Sequence, residues 1–357
     1  MHAWITSPTD ERWAALLDAL AEGWEALDEP TAWPQRQLEA FSSYGVYAWF
    51  IPAQWGGLAW SEPDLLRGLV KLSSACLTTT FILTQRVAAT ARLVACENAA
   101  LKAELLPPLL TAETFATIGI SHLTTSRRHV ATPVLTATPH DDGYVLNGYS
   151  PWVTGADHAD TVVVGATLPD EQQLLLAIDM HTEGVDVPPP ESLVALGASH
   201  TGRVEFRDAL IPRERLLSPP KPQILQQGLT VRTGGSQTSA LALGLTDRAL
   251  RVLEHEALRR TDLAEPADAL RAEWERLLAD MLALADNQPV CTNEQLRQRA
   301  NSLALRASQA ALAASKGAGY VAGHPAGRLC REALFFLVWS CPQPVTSAHL
   351  CELAGLG

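Results

Sequence analysis

The residue types most suited to chemistry lie near the middle of the chain. Trp152 and Thr154 are separated by one residue in the stretch YSPWVTG, and alternate residues of a β-strand point to the same face. Strand-like runs flank the pair, and Asn147-Gly148 just before it is a strong signal for a two-residue hairpin turn. The pattern predicts an indole and a hydroxyl side by side at the edge of a sheet.

Histidines are common metal ligands, and several fall in the same part of the chain: His122, His129, His140, His158 and His200. None of them has HxxxH or HxH spacing with a carboxylate, which is the spacing typical of a zinc site. The six cysteines form no CxxC pair, which indicates buried thiols in a reducing compartment. The sequence therefore predicts scattered surface histidines and no metal site.

Other reactive-looking stretches give weaker predictions. Ser340-Cys341 has no histidine beside it that would activate a nucleophile. Arg127-Arg128 fits a phosphate-binding loop and a solvated loop equally well. The glycine-rich GAGYVAG follows no predicted strand, so it indicates a helix–helix turn rather than a dinucleotide-binding fingerprint.

Composition limits the class of protein. The 357 residues are 47% hydrophobic and 18% charged, with a formal net charge of −12. A chain of this length buries a large core in two or three domains. Its negative charge argues against nucleic acid as a partner. No apolar run reaches membrane-spanning length and no signal peptide is evident, so the expected location is the cytoplasm.

The elements that must position these residues change character twice along the chain. Helical stripes predict a helical domain over residues 1–115. Strand-like runs separated by turn signals such as DDG and NG predict a small antiparallel barrel or sandwich over residues 116–222. Residues 223–357 return to helices, with a capping box at Thr292 to Gln295. The expected fold is mainly α with a central β-barrel.

This order of elements resembles the acyl-CoA dehydrogenase family over most of the chain. Short motifs carry the resemblance: WGG at residues 55–57, CENAALKAELLPPLLTAE, DGYVLNGYSPWVTGADHAD, LGASHTGRVEFRDALIPRERLL, GLTDRAL and GAGYVAGHPAGRLCREA. Each motif is weak alone, and their common order makes the likeness specific. The resemblance implies a helical domain, a β-barrel and a C-terminal four-helix bundle.

The resemblance also implies a cofactor and its contacts. Family members hold FAD, with the strand aromatic beside the flavin ring and the threonine hydroxyl near its N5, which would be Trp152 and Thr154. Ser121 falls where the family contacts the pyrimidine edge of the ring. Arg260 or its neighbour Arg259 would replace an arginine that reaches the FAD of a partner subunit. A homodimer or homotetramer, an acyl-thioester substrate and an electron-transfer partner follow from the same likeness.

The chain departs from the family pattern at the catalytic base. The positions where the family carries its glutamate align with Ser340 and, for one branch, Gly234. A serine cannot hold an abstracted proton near neutral pH as a carboxylate does. Glu332 is the nearest acid, and its alignment favours a structural salt bridge. Several adenosine-contact motifs are also lost.

These observations leave more than one function open. The first hypothesis is an FAD-dependent oxidoreductase that oxidises the CH–CH bond of an acyl thioester through an unrecognised base. The second is a flavin monooxygenase or oxidase of the same fold, which needs no α-proton base. The third is a non-catalytic relative that serves as a binding or assembly subunit, since a fold does not fix an activity.

Overall fold

The computed structural model describes residues 4–29, 31–124, 133–225, 235–339 and 341–356. Some residues singled out in the sequence lie outside these ranges, and predictions about them stay predictions: Arg127, Arg128, His129, Gly234 and Ser340.

The first part of the chain is helical, as predicted. Its helices are α1 (Trp13–Ala21), α2 (Gln35–Ser43), α3 (Glu62–Ala75), α4 (Leu77–Ala95) and α5 (Ala99–Thr111). Helix α3 begins where the Ser61 hydroxyl accepts a hydrogen bond from the backbone N–H of Asp64, which satisfies one of the free donors of the first turn. Helix α4 is buried along most of its length.

A seven-stranded sheet follows. The strands and the short helix between the first two are β1 (Ala116–Gly119), α6 (Ser121–Thr124), β2 (Leu135–His140), β3 (Gly143–Thr154), β4 (Thr161–Thr167), β5 (Gln173–Asp179), β6 (Val185–Asp186) and β7 (Thr201–Pro212). The strand order is β1-β4-β2-β3-β7-β6, with β5 on the other edge of β4. The predicted strands are all present, but the sheet is mixed rather than antiparallel, since β1 and β4 are parallel.

The predicted hairpin turn at Asn147-Gly148 is wrong. Both residues lie inside the continuous strand β3, where the pairing with β7 shifts register between Leu146 and Gly148. Gly148 takes a positive φ of 117° at this irregularity, a conformation that glycine adopts without steric cost. The hairpin turn lies instead between His140 and Gly143, the last pair of the β2–β3 ladder.

The last part of the chain is again helical. Its helices are α7 (Ser236–Ala257), α8 (Ala264–Ala285), α9 (Asn293–Gly319), α10 (Pro325–Ala333), α11 (Phe335–Val338) and α12 (Gln343–Leu353). The predicted capping box is confirmed: the Thr292 hydroxyl accepts from the N–H of Gln295, and the Gln295 side chain accepts from the N–H of Thr292. No helix in the described ranges is long and apolar enough to cross a membrane.

Hydrophobic cores connect these parts. The largest is shared by the first helices and the C-terminal bundle, where α3 and α4 pack against α7, and α7 packs against α9. A second core lies within the sheet. A third joins α4 and α5 to β1, β4 and β5. The sheet is thus held against the helices through α4, which makes that helix the natural wall of any cavity between them.

The crossing of α3 and α7 depends on Gly244. A Cβ atom added at Gly244 would lie 2.5 Å from the Cβ of Ser73 and 2.6 Å from the carbonyl oxygen of Val70. Since backbone cannot move aside cheaply, we expect Gly244→Ala to lower the free energy of unfolding by about 1–3 kcal/mol. Gly317→Ala is the matched control, because nothing lies within 4 Å of its added Cβ, and it should be neutral or stabilising by up to about 1 kcal/mol. Urea denaturation of both variants gives the two values, and equal values would contradict this account of the crossing.

Candidate functional site

A cavity of about 1130 Å³ lies between the sheet and the helices. Its apolar wall comes from α4, the end of β1, β3 and the last helices, with contributions from Phe81, Ile118, Ile120, Trp152, Phe335 and Trp339. Specific ligand pockets enclose about 300–1,000 Å³ and are mostly apolar with a few placed polar groups. The cavity therefore has the size and character of a site for a large organic ligand.

Trp152 enters this cavity because its strand is irregular. The pairing of β3 with β7 shifts between Ser150 and Val153, and Trp152 takes a left-handed backbone with φ of 57°. Such a backbone costs an L-residue about 1–2 kcal/mol. The indole is 44% exposed and lines the cavity, so strain in the strand presents a large ring to an open space. Strain of this kind concentrates at functional sites.

The irregularity also separates the predicted pair. Thr154 is fully buried and, unlike Trp152, is not among the residues that line the cavity. The prediction that Trp152 and Thr154 lie side by side assumed that alternate residues of the strand face the same way. The register shift between Ser150 and Val153 interrupts that alternation. Thr154 instead contacts the adjacent strand, where its hydroxyl lies 2.9 Å from that of Thr201.

Thr201, the strand partner of Thr154, is among the residues that line the cavity. Its oxygen lies 2.8 Å from the hydroxyl of Ser199 and 2.9 Å from that of Thr154, and all three side chains are buried. The three hydroxyl groups have three protons but make only two hydrogen bonds with one another, so one proton must be donated to another group. An unpaired buried donor costs about 1–3 kcal/mol. If Ser199 and Thr154 both donate to Thr201, the remaining proton is that of Thr201, which lines the cavity and can donate to a ligand there.

Ser121 lines the cavity at the start of α6. Its hydroxyl donates to the carbonyl oxygen of Pro151 at 2.9 Å, next to Trp152 in the chain. This bond ties the loop after β1 to the irregular part of β3 and leaves the serine oxygen as an acceptor. The structure thus brings Ser121 and Trp152 to one cavity, and the contact with a flavin that the resemblance implies for them stays a prediction.

Arg260 lies elsewhere in this chain. Its guanidinium donates to the carbonyl oxygen of Ala314 at 2.9 Å and pairs with Asp262 at 3.2 Å, and it is not part of the cavity lining. The resemblance assigns it to the FAD of a partner subunit, which a single chain does not test. That role stays a prediction.

Acidic groups are scarce in the cavity. Glu62, in the first turn of α3, is the acidic residue among the described lining residues, and it is exposed. Gly235 and Trp339, the chain neighbours of the predicted base positions Gly234 and Ser340, both line the cavity. The described wall therefore offers no buried carboxylate that could take a proton from a substrate.

Glu332 has the structural role predicted for it. It is 3% exposed and pairs with Arg328 at 2.8 Å, away from the cavity. Burial raises the pKa of the Glu332 carboxyl, while the Arg328 cation opposes the rise. Arg328 also packs over the ring of Trp24, with 4.2 Å between its guanidinium carbon and the ring centroid, so the pair joins α10 to the short helical segment Trp24–Asp28.

Sequence reasoning missed a cation in the cavity wall. Arg92, near the end of α4, lines the cavity and is 2% exposed. One of its guanidinium nitrogens donates to the carbonyl oxygen of Ala88 at 3.1 Å. Burial lowers the pKa of Arg92 to about 10, so the side chain stays positive at neutral pH. Helix α4 is rich in leucine, alanine and threonine, and the two arginines within it, Arg86 and Arg92, were the available signal.

Comparisons with known proteins agree with this architecture. Helices, a curled sheet and a helical bundle around an apolar cavity define the class of acyl-CoA dehydrogenase-like folds. The glutaryl-coenzyme A dehydrogenase in its glutaryl-CoA complex superposes with a TM-score of 0.82 at 17% identity, covering 98% of this chain and 96% of that one. The prolyl acyl carrier protein oxidase AnaB superposes with a TM-score of 0.80 at 16% identity, covering 97% and 100%.

Curated relatives lead to the same family. The chain is 26% identical over 327 residues to the mitochondrial short-chain specific acyl-CoA dehydrogenase of Mus musculus, covering 86% of this chain and 79% of the relative. It is 23% identical over 331 residues to a probable acyl-CoA dehydrogenase of Bacillus subtilis, covering 87% of each. No family model matches the chain. The chain is therefore similar over most of its length to acyl-CoA dehydrogenases, and it has their fold.

Proposed function

We propose that the protein is an FAD-dependent oxidoreductase of the acyl-CoA dehydrogenase type that acts on an acyl thioester. The observation that carries the proposal is the open cavity with Trp152 on its wall. Had the chain kept only the shape of its family, the cleft between sheet and helices would be filled by its own side chains. The strained backbone of Trp152 would then serve no purpose.

The residues present fit the cofactor. A flavin ring is large, planar and apolar on its faces, and the cavity offers the indole of Trp152 with aromatic and aliphatic neighbours. Its edge carries hydrogen-bonding groups, for which Thr201 supplies a donor and Ser121 an acceptor. Further polar side chains line the cavity and suit a ribityl chain or an amide-rich substrate arm: Gln85, Gln237, Asn287 and Asn293.

Each of these residues has a proposed task. FAD, when bound, supplies the hydride-accepting ring. Trp152 forms one wall of its site and excludes water from that side. Thr201, with its donors Ser199 and Thr154 behind it, holds a hydrogen-bond donor at a fixed position. Arg92 places a buried positive charge in the wall, which favours a ligand that carries or develops negative charge.

The scarcity of acids supports a second candidate function. Acyl-CoA oxidation needs a base for the α-proton, and Glu62, the acid of the described lining, is exposed. A flavin oxidase or monooxygenase of this fold is favoured by that observation, and the fold neighbour AnaB is a carrier-protein oxidase. A non-catalytic role remains the third candidate.

Anaerobic mixing separates these candidates. Protein loaded with FAD is mixed with acyl-CoA thioesters of increasing chain length, and the visible absorbance of the flavin is followed. Bleaching by at least one thioester is expected from the proposed dehydrogenase-type reaction. Bound flavin that no thioester bleaches, but that reacts productively with oxygen and a substrate after chemical reduction, would contradict the first candidate and support the second.

The hydroxyl chain gives a test of the cavity geometry. We expect Thr201→Val to weaken FAD binding by about 0.5–1.5 kcal/mol, the value of one hydrogen bond, and to shift the visible spectrum of the bound flavin. Thr154→Val is the matched control, because Thr154 lies behind Thr201 and does not line the cavity. Titration with FAD gives both affinities. A larger loss for Thr154→Val would reverse the assignment of the cavity-facing hydroxyl.

A further inference from the structure

Asp157 and His158 are neighbours in the chain, and they meet the distant His200 at the protein surface. Nδ1 of His200 lies 2.6 Å from Oδ2 of Asp157, and Nε2 of His158 lies 3.7 Å from the same oxygen. One donor atom from each residue lies within 4.8 Å of the other two. The imidazole rings are 5.1 Å apart between centroids. The sequence indicated scattered histidines, since 42 to 43 residues separate His200 from the other two.

The fold fixes these three residues at one corner of the sheet. Asp157 and His158 lie on the short turn that follows β3, and His200 immediately precedes β7. The N–H of Gly155 donates to the carbonyl oxygen of His200 at 3.0 Å, which joins the two segments. Trp33 stacks on the His158 ring with 4.0 Å between centroids, which restricts the orientation of that imidazole.

His200 has unused binding capacity. Its side chain is only 10% exposed, and its Nδ1 contacts Asp157. Its Nε2 is buried and has no hydrogen-bond partner in the described part of the chain. Nδ1 is the His200 nitrogen that faces Asp157, so Nδ1 is the atom that can bind an ion shared with that carboxylate.

We propose that Asp157, His158 and His200 bind a divalent transition-metal ion, with Zn²⁺ as the reference metal. Two imidazoles and one carboxylate are a ligand set of Zn²⁺, and imidazole nitrogen disfavours Ca²⁺ and Mg²⁺. Tetrahedral bonds of about 2.1 Å place ligand atoms roughly 3.4 Å apart. The 3.7 Å contact of His158 is close to this separation, and the Asp157 carboxylate must rotate away from its 2.6 Å contact with His200.

Bound metal would clamp the end of β3 to the start of β7. Those strand ends carry Thr154 and Thr201, whose hydroxyls contact each other, and Thr201 lines the cavity. The site is therefore a structural clip at strand ends that include Thr201, a residue of the cavity wall. It takes no part in the proposed reaction, and its test does not depend on flavin.

Calorimetric titration of the full chain with Zn²⁺, after treatment with a chelator, tests the site. We expect one saturable site in the wild type and a loss of more than about tenfold in affinity in His158→Gln and His200→Gln. His140→Gln is the matched control, because His140 also faces a carboxylate, that of Asp142 at 3.8 Å, but belongs to no such cluster among the described residues. Equal affinity in all four proteins, or no saturable binding in the wild type, overturns the proposal.

Fluorescence locates the metal independently of the histidine variants. Ni²⁺ bound at His158 lies next to the stacked Trp33 and should quench its emission. Comparison with Trp33→Phe isolates that contribution from the other tryptophans, and we expect most of the quenching to disappear in this variant. Since His158 is partly exposed, His158→Gln should fold even where His200→Gln does not. Quenching that persists fully in Trp33→Phe places the metal elsewhere and contradicts the site.

Discussion

Replacing Trp152 by alanine is expected to weaken FAD binding by about 1–3 kcal/mol, or roughly tenfold to a hundredfold, the range measured when an aromatic platform for a stacked base is removed. The indole is the large aromatic surface that β3 presents to the cavity. Its loss removes both contact area and the exclusion of water from one side of the ring. Isothermal titration with FAD measures the change.

Tyr320→Ala is the control for this variant. Tyr320 is 89% exposed and does not line the cavity, so its loss should leave FAD affinity unchanged. Thermal denaturation without cofactor checks that Trp152→Ala folds, since part of the indole packs against the protein. An affinity for FAD that is the same in both variants would show that the flavin does not lie against Trp152.

The second large effect concerns stability. We expect Glu332→Ala to lower the free energy of unfolding by about 3–5 kcal/mol, because it leaves the buried Arg328 cation without its carboxylate. Arg328 also donates to the carbonyl oxygen of Trp24 and lies 3.5 Å from Asp28. The variant therefore disturbs the contact between α10 and the short helical segment Trp24–Asp28.

Glu273→Ala is the matched control for the buried pair. Glu273 pairs with Arg306 at 2.6 Å, but the two side chains are 27% and 45% exposed, so the loss should be at most about 1 kcal/mol. Urea denaturation compares the two variants under the same conditions. Similar losses would mean that the Arg328–Glu332 pair does not hold the helices together.

Local signals in the sequence predicted the elements well. Thr292 and Gln295 are three residues apart, and a capping box needs only that spacing. The strands β4 and β5 carry uninterrupted apolar runs at residues 162–166 and 174–178, and these runs are buried. Such features depend on neighbours in the chain, and the sequence shows those neighbours directly.

Features that depend on distant residues could not be predicted in the same way. The parallel pairing of β1 with β4 and the meeting of His158 with His200 join segments more than 40 residues apart. The register shift in β3 is set by its partner β7, and it decides that Thr201, rather than Thr154, lines the cavity. The resemblance singled out Trp152 and Ser121 as flavin contacts, and both line the cavity. It could not show the strained backbone that presents the indole of Trp152.

An absorption spectrum of the purified protein, taken after incubation with excess FAD and removal of the unbound dye, addresses the central claim most directly. If the indole at position 152 forms one side of a flavin site, the protein stays yellow and retains close to one FAD per chain. A colourless protein that retains no flavin would mean that the cavity serves another ligand, and that this chain has the acyl-CoA dehydrogenase-like fold without flavin chemistry.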